Sequence, residues 1–198
     1  MPSFDNVTLR TPRLLLRPLQ ASDTQALFDV HSDATVMQYS NTAPWTSMDD
    51  ARALIDQAMR GARTGEHLCL GIALNEAGSV VGTCTLYAIA ESSRRAEIGF
   101  ILGSQAWRKG YMVEALGALA DYAFLGLNLN RIEADTDPRN LRSIKTLERL
   151  GFVREGYLRE RWLIGVETSD TLLYGLLRSD WDRLHRPKDM PPASGPLE

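Results

Sequence analysis

The most constraining feature of this sequence is a change from strand-like to helix-like patterning, and back again, between residues 95 and 135. The run Arg95–Leu102 alternates, with Glu97 on one face and apolar residues on the other. Residues 110–125 then repeat apolar side chains at helical spacing, and residues 131–135 have the pattern of a strand. A strand, a helix and a strand in succession form a crossover unit, so we predict that the two strands are parallel neighbours.

The other elements predict an otherwise antiparallel sheet. Strand-like runs lie at 13–19, 67–74, 79–89, 152–163 and 168–178, and the second and third are joined by turn-forming residues. Helical spacing covers 24–32 and 140–150, and Ser47 with Asp50 three residues later predicts the start of another helix. We therefore expect an α+β fold with a mixed sheet.

Length and composition favour one domain followed by a short tail. The 198 residues, 44% of them hydrophobic, are enough for a sizeable core. The last residues are rich in proline and poor in apolar side chains. We predict a single domain over 1–180 and a flexible tail over 181–198.

Charge and hydropathy exclude several partners. The net charge of −3 provides no basic field for nucleic acid. No apolar run approaches the roughly 20 residues of a membrane span, and no signal-peptide core is present. Cys69 and Cys84 lie within apolar runs, without metal or redox spacing, which predicts reduced core residues and a cytoplasmic protein.

The loop before the helix at 110–125 is the main candidate for chemistry. Backbone N–H groups at the start of a helix point outward and bind anions, and Gly110 allows a phosphate to approach the backbone closely. The alternative is an ordinary turn between a strand and a helix.

Several segments of the chain, taken together and in order, resemble the GNAT-type N-acyltransferases, in particular the ribosomal-protein N-terminal acetyltransferases (RimJ/RimL-like). The loop is similar to their acetyl-CoA signature. The resembling segments are TPRLLLRP at 11–18, AEIGF at 96–100, WRKGYMVEA at 107–115, RIEA at 131–134, NLRSIKTLERLGF at 140–152 and REG at 154–156.

This resemblance implies a seven-stranded, mostly antiparallel sheet with helices on both faces. The sheet would open between the strands at 97–102 and 131–135, and the pantetheine arm of acetyl-CoA would lie in that opening. The positions that the resemblance assigns to the donor are Phe100, Ile101, Leu102, Gln105, Arg108, Lys109, Gly110, Tyr111, Met112, Val113, Asn140 and Ser143.

Within that set, the backbone N–H groups from Lys109 to Val113 would bind the pyrophosphate. Asn140 would contact the pantetheine, and Ser143 would face the thiol end.

Two positions depart from the family pattern. Arg108 replaces a common glycine, and Leu147 stands where many members have a tyrosine that protonates the leaving thiolate.

Amine acylation also requires a base and an oxyanion donor. Glu97 is the leading candidate for the base, acting directly or through water, and an N–H group near Phe100 to Leu102 is the candidate oxyanion donor. The alternative bases are Glu133, Asp135, Glu155 and Glu160. Arg139, Arg142 and Arg149 either meet donor phosphates or form a solvated helix face.

The expected activity is direct transfer of an acetyl group to a primary amine, most simply a protein N-terminus. The alternatives are a small-molecule amine as acceptor, or an acyl-CoA-binding sensor without turnover.

The acceptor cleft has four candidate lining residues, which could equally be ordinary packing residues: Met37, Tyr39, Trp45 and Met48. The three histidines lack metal-ligand spacing, so no metal is expected, and either a monomer or a homodimer is compatible with the chain.

Overall fold

The computed structural model describes residues 3–75 and 78–185. Within them the chain forms one eight-stranded sheet and six α-helices. The strands are β1 (Leu9–Arg10), β2 (Leu14–Pro18), β3 (Leu68–Leu74), β4 (Val80–Ala90), β5 (Arg95–Leu102), β6 (Arg131–Thr136), β7 (Val153–Ile164) and β8 (Glu167–Leu177). The helices are α1 (Thr24–Ser32), α2 (Ala34–Met37), α3 (Met48–Thr64), α4 (Tyr111–Asp121), α5 (Leu141–Arg149) and α6 (Arg178–His185).

The sheet has the order β1-β2-β3-β4-β5-β6-β8-β7. Its only parallel pair among the described strands is β5 with β6, and α4 lies between these two strands in the chain. The crossover unit and the mixed sheet predicted from the sequence are therefore confirmed. The strand count differs by one from the expected seven, and the sheet includes the short β1, whose two residues pair with β2.

The parallel pair separates soon after it begins. Its register runs through Arg95↔Arg131 and Ala96↔Ile132, and ends at Glu97↔Glu133. Beyond that point β5 continues to Leu102 paired only with β4, while β6 continues paired only with β8. The two strands thus form a V-shaped opening, and the backbone groups on the β6 side of the second half of β5 have no strand partner.

Helices cover both faces of the sheet, as expected. Leu70 and Leu116 belong to the larger core cluster, which α4 covers, whereas Cys69 and Ile55 belong to a smaller cluster under α1 and α3. Successive residues of a strand point to opposite faces, so the neighbours Cys69 and Leu70 place the two clusters on opposite sides. Both cysteines are buried free thiols, and burial raises their pKa values.

The helix ends agree with the capping residues in the sequence. Ser47 and Asp50 form the predicted capping box of α3. Asn140 caps α5 by accepting a hydrogen bond from the N–H of Ser143 at 3.1 Å. At the other end, Gly151 has φ of 89°, and the N–H of Phe152 donates to the carbonyl of Leu147 at 3.1 Å, which closes the helix.

The end of the domain lies further along the chain than expected. Residues 181–185, assigned to a tail, belong to α6, in which Trp181 is only 3% exposed. Its indole N–H donates to Asp121 at 2.8 Å, so this turn packs on α4 and is part of the fold. The rest of the predicted tail, 186–198, lies outside the described residues. No described helix is long and apolar enough to cross a membrane.

Candidate active site

The loop between β5 and α4 presents unpaired backbone donors. A short 3-10 turn, Ser104–Ala106, is followed by Arg108 and Gly110, which have φ of 61° and 77°. The first hydrogen bond of α4 runs from the N–H of Glu114 to the carbonyl of Gly110 at 3.1 Å. The N–H groups of Tyr111 through Val113 therefore have no acceptor within the helix and can bind an anion there.

The N-terminal segment holds this loop from behind. The carboxylate of Glu114 accepts from the hydroxyl of Thr11 at 2.6 Å, from the N–H of Arg13 at 2.9 Å and from the guanidinium of Arg13 at 2.6 Å. The same guanidinium donates to the carbonyl of Lys109 at 2.9 Å and lies 4.8 Å from the Tyr111 ring centroid. Burial alone would raise the pKa of Glu114, but these hydrogen bonds outweigh it and lower the pKa.

A cleft of about 420 Å³ opens in front of the loop, between the end of β5 at Phe100 to Leu102 and the helix α5. Of the donor positions assigned from the sequence, only Gln105 and Lys109 do not line it. Lys109 instead contributes its carbonyl to Arg13, and Gln105 is exposed on the 3-10 turn. Val36, Trp107 and Lys145 also line the cleft and were not singled out from the sequence. Arg142 and Arg149, for which contact with donor phosphates was one of two expectations, line it as well.

The charged side chains that line this cleft are all positive. Arg108, Arg142, Lys145 and Arg149 line it, and no carboxylate does. The whole chain, in contrast, has a net charge of −3. The cleft is therefore an electropositive region of an acidic protein, which suits a polyanionic ligand.

A second cleft of about 310 Å³ adjoins the first. Its walls are the segment from Ala34 to Pro44 and the turn between β7 and β8, including Glu167 and Ser169. Tyr39 lines both clefts. Residues between 34 and 44 and between 164 and 169 thus meet at one cleft.

Asp137 forms the polar floor of the second cleft. It is 7% exposed and accepts from Arg139 at 2.6 Å and from the hydroxyl of Ser169 at 2.7 Å. Burial raises the pKa of Asp137, but the hydrogen bonds from Arg139 and Ser169 lower it further than burial raises it, so the group stays ionised. Arg139 therefore faces this cleft and does not meet the donor loop.

Comparison with known proteins identifies the chain. The sequence model of the acetyltransferase (GNAT) domain matches residues 13–153. The chain belongs to the GNAT acetyltransferase family. It is an N-acetyltransferase, and its acyl donor is acetyl-CoA, whose diphosphate suits the free N–H groups of the loop and whose total negative charge suits the electropositive cleft.

Three relatives show the range of this family. The uncharacterised N-acetyltransferase p20 of Bacillus licheniformis is 38% identical over 88% of this chain and 98% of its own length. The ribosomal protein uS5 alanine N-acetyltransferase of Escherichia coli is 27% identical over 88% of this chain and 93% of its own. The spermidine N(1)-acetyltransferase of Vibrio cholerae is 24% identical over 85% and 95%.

The fold agrees with solved GNAT structures. A GNAT-family acetyltransferase from Bacillus anthracis superposes with a TM-score of 0.77 at 28% identity, covering 86% of this chain and 98% of that one. The expected splayed α+β architecture is therefore confirmed.

The two α5 residues assigned to the donor both line the first cleft. Asn140 uses its side-chain oxygen to cap α5, so its amide NH₂ is the group that can reach a ligand. Ser143 lies one turn further along the helix. Leu147 is fully buried in the core and does not line the cleft.

Glu97 lies at the last paired position before β5 and β6 separate, and it lines neither cleft. It is partly buried opposite Tyr87 of β4. Burial raises the pKa of Tyr87, and the negative charges of Asp135 and Glu97, with a hydrogen bond to Glu97, raise it further. Tyr87 therefore stays protonated and is a potential hydrogen-bond donor to Glu97.

Arginines pair with two of the other carboxylates considered as bases, Glu133 and Glu155. Glu133 accepts from Arg95 at 2.6 Å and from Arg131 at 2.7 Å. Arg131 also pairs with Glu155 and lowers the pKa of that carboxyl through their hydrogen bond. Because Glu133 and Glu155 already accept hydrogen bonds from arginines, Glu97 remains the candidate base.

Residues 3–75 and 78–185 contain no group of three or more histidine, cysteine or carboxylate side chains arranged to hold a metal. Two of the three histidines instead stack on tryptophans. His31 lies 4.0 Å from the Trp45 ring, and His185 lies 3.6 Å from the Trp181 ring.

Proposed function

We propose that this GNAT enzyme transfers the acetyl group of acetyl-CoA to the primary amine of a polypeptide N-terminus, by direct transfer within a ternary complex. The observation that carries this proposal is the position of Tyr39, which lines both the donor cleft and the second cleft. Because the two clefts adjoin there, donor and acceptor can be bound together, with no need for an acetylated enzyme.

The donor is held mainly by backbone groups in this proposal. The N–H groups from Lys109 to Val113 bind the pyrophosphate, helped by the partial positive charge at the start of α4. The pantetheine lies along Phe100 to Leu102, where β5 has lost its parallel partner, and contacts the amide of Asn140. This arrangement directs the thioester towards the second cleft.

The reaction then requires three proton and charge movements. The amine loses a proton to Glu97 through water, since Glu97 lines neither cleft, and the amine nitrogen attacks the thioester carbon. An N–H group near Phe100 to Leu102 stabilises the resulting oxyanion. Collapse of the tetrahedral intermediate breaks the carbon–sulfur bond, and the hydroxyl of Ser143 assists the departing thiolate. The remaining excess proton on the nitrogen passes to the sulfur, giving an amide and free coenzyme A.

The second cleft is the proposed acceptor site. Its lining carries two carboxylates, Asp137 and Glu167, and one cation, Arg139, which is paired with Asp137, so the net negative charge favours an ammonium group. The similarity to a ribosomal-protein alanine N-acetyltransferase supports this acceptor class.

A small polyamine is the alternative acceptor, supported by the similarity to a spermidine acetyltransferase and by the limited volume of the second cleft, about 310 Å³. The buried free thiols suit a cytoplasmic enzyme with either substrate.

The test is coenzyme A release with peptides beginning in alanine or serine, compared with spermidine, spermine and free amino acids. We expect the highest kcat/KM with a peptide, and initial-rate lines that intersect when both substrates are varied. Parallel lines would contradict direct transfer. A kcat/KM at least tenfold higher for a polyamine would show that the small-amine alternative is correct.

A further inference from the structure

One side of α5 presents three cations to the donor cleft. Arg142, Lys145 and Arg149 all line it, and their spacing of three and then four residues places them along one helix face. At 1.5 Å per residue the row is about 10 Å long. We call these three residues the α5 cationic row.

The α5 cationic row has no neutralising partner among the described residues. No described carboxylate lies within 4.0 Å of any of its three charged groups. In contrast, Arg139 just before α5 is paired with Asp137, and Arg13 behind the loop is paired with Glu114. An ordinary solvated helix face would more commonly intersperse charges of both signs, so the row is arranged for an external anion.

A packing contact orients the first member of the row. The guanidinium of Arg142 lies 4.0 Å from the centroid of the Trp107 ring, which cation–π attraction favours. Trp107 is itself fixed, because its indole N–H donates to the carbonyl of Leu102 at 2.7 Å. The ring uses only the face of the guanidinium, so the N–H groups along its edge remain free to bind an oxyanion.

Acetyl-CoA carries two kinds of phosphate. The diphosphate is accounted for by the backbone donors of the loop, which leaves the 3′-phosphate monoester of the ribose. This group carries close to two negative charges at neutral pH and matches a cluster of fixed cations better than it matches backbone amides.

We propose that the α5 cationic row binds the ribose 3′-phosphate, so that the enzyme selects coenzyme A and its thioesters over 3′-dephospho-coenzyme A. This inference rests on the donor position in the proposed function. It adds a specificity that the loop cannot supply, because both nucleotides carry the same diphosphate and pantetheine.

The test is a comparison of dissociation constants for coenzyme A and 3′-dephospho-coenzyme A by calorimetry at one ionic strength. We expect the unmodified enzyme to bind coenzyme A about 30-fold more tightly, equivalent to about 2 kcal/mol. The variants R142Q, K145Q and R149Q, singly and together, should weaken binding of coenzyme A and leave binding of the dephospho form within about twofold. The triple variant should bind the two alike.

The matched control is R60Q on the exposed side of α3, which should keep the 30-fold preference. Circular dichroism checks folding, and the single variants keep the test valid if the triple variant does not fold. Equal affinity of the unmodified enzyme for both nucleotides would overturn the proposal, as would variants that weaken both equally. Failure to bind either nucleotide would instead refute the donor position in the proposed function. The acceptor that the enzyme prefers does not affect this binding test.

Discussion

At the scale of single residues, the hydroxyl of Ser143 distinguishes binding from chemistry. Ser143→Ala should lower kcat more than it raises the KM for acetyl-CoA, because a contact made mainly with the departing thiolate acts in the transition state. Steady-state kinetics with one acceptor measure both constants. Ser143→Thr keeps a hydroxyl and should retain most of the activity. A change confined to the donor KM would make Ser143 a binding residue only.

Glu97 is tested by its pH dependence. Glu97→Gln keeps the shape of the side chain and removes its basic site, so kcat near neutral pH should fall by roughly 100-fold. The loss should become smaller at high pH, where the free amine is already abundant. Glu66→Gln, at an exposed position after α3, is the comparison variant. Full activity of Glu97→Gln at every pH would transfer the role to another group or to solvent.

His31 should make folding sensitive to mild acid. Burial lowers its pKa from 6.5 to about 4, and its Nε2 has no hydrogen-bond partner. Between these two pH values the unfolded chain binds the proton more readily than the folded chain, so stability decreases as the pH falls through that window.

Urea unfolding of the unmodified protein from pH 7 to pH 4 measures this loss, which reaches at most about 3 kcal/mol. His31→Phe keeps an aromatic ring against Trp45 and cannot be protonated, so its stability should vary less over the same range. An identical pH dependence in the two proteins would assign the acid sensitivity to other groups.

At the scale of secondary-structure elements, β2 and the segment before it position the start of α4. Thr11 and Arg13 bind Glu114 in the first turn of α4. This one carboxylate therefore connects the N-terminal segment to the donor loop, although about a hundred residues separate them in the chain. The TPRL segment thus has a physical role that its sequence pattern alone does not reveal.

Glu114→Ala should therefore weaken coenzyme A binding although Glu114 does not line the cleft. Losing several hydrogen bonds to a charged group should also lower the free energy of unfolding, by about 1–3 kcal/mol. Calorimetry and thermal unfolding measure the two effects, and Glu148→Ala on the exposed side of α5 is the control. Glu114→Gln keeps part of the hydrogen bonding and should lie between Glu114→Ala and the unmodified enzyme. Unchanged affinity would show that the loop keeps its shape without this contact.

A second contact connects the acceptor side to the donor loop. Asp33 caps α2 by accepting from the N–H of Thr35 at 2.8 Å, and its other oxygen accepts from the hydroxyl of Ser104 at 2.9 Å. Since α2 leads into Tyr39, this bond fixes the wall between the two clefts relative to the loop proposed to bind the diphosphate.

At the scale of the whole molecule, α6 completes the core that supports the donor site. Trp181 packs on Phe124 and bonds to Asp121, beneath the helix whose first turn faces the cleft. Trp181→Ala should lower the free energy of unfolding by about 3–5 kcal/mol, as large-to-small core changes do. Leu184→Ala, at a position that is 60% exposed, should cost far less. Urea unfolding compares the two, and equal costs would mean that α6 is not part of the cooperative core.

The sequence by itself determined the elements whose signals are local. The alternation in β5, the capping residues Ser47 and Asn140, and the closing Gly151 each act within a few residues, and the structure has these elements with small shifts at their ends. The donor loop belongs to the same class, because unpaired N–H groups and a left-handed glycine are properties of a short stretch of backbone.

Only the tertiary structure decided which side chains share a cleft. Arg139 and Arg142 are three residues apart and look equivalent in the sequence, yet one pairs with Asp137 and the other faces the donor cleft. Gln105 and Lys109 belong to the loop but do not line the cleft, and Trp181 lies in the core although the sequence suggested a tail. The contacts that decide these positions join residues far apart in the chain, and they depend on how helices pack on a sheet whose strands separate after Glu97. Local patterning carries no information about such contacts, since each of them exists only once the whole sheet has formed.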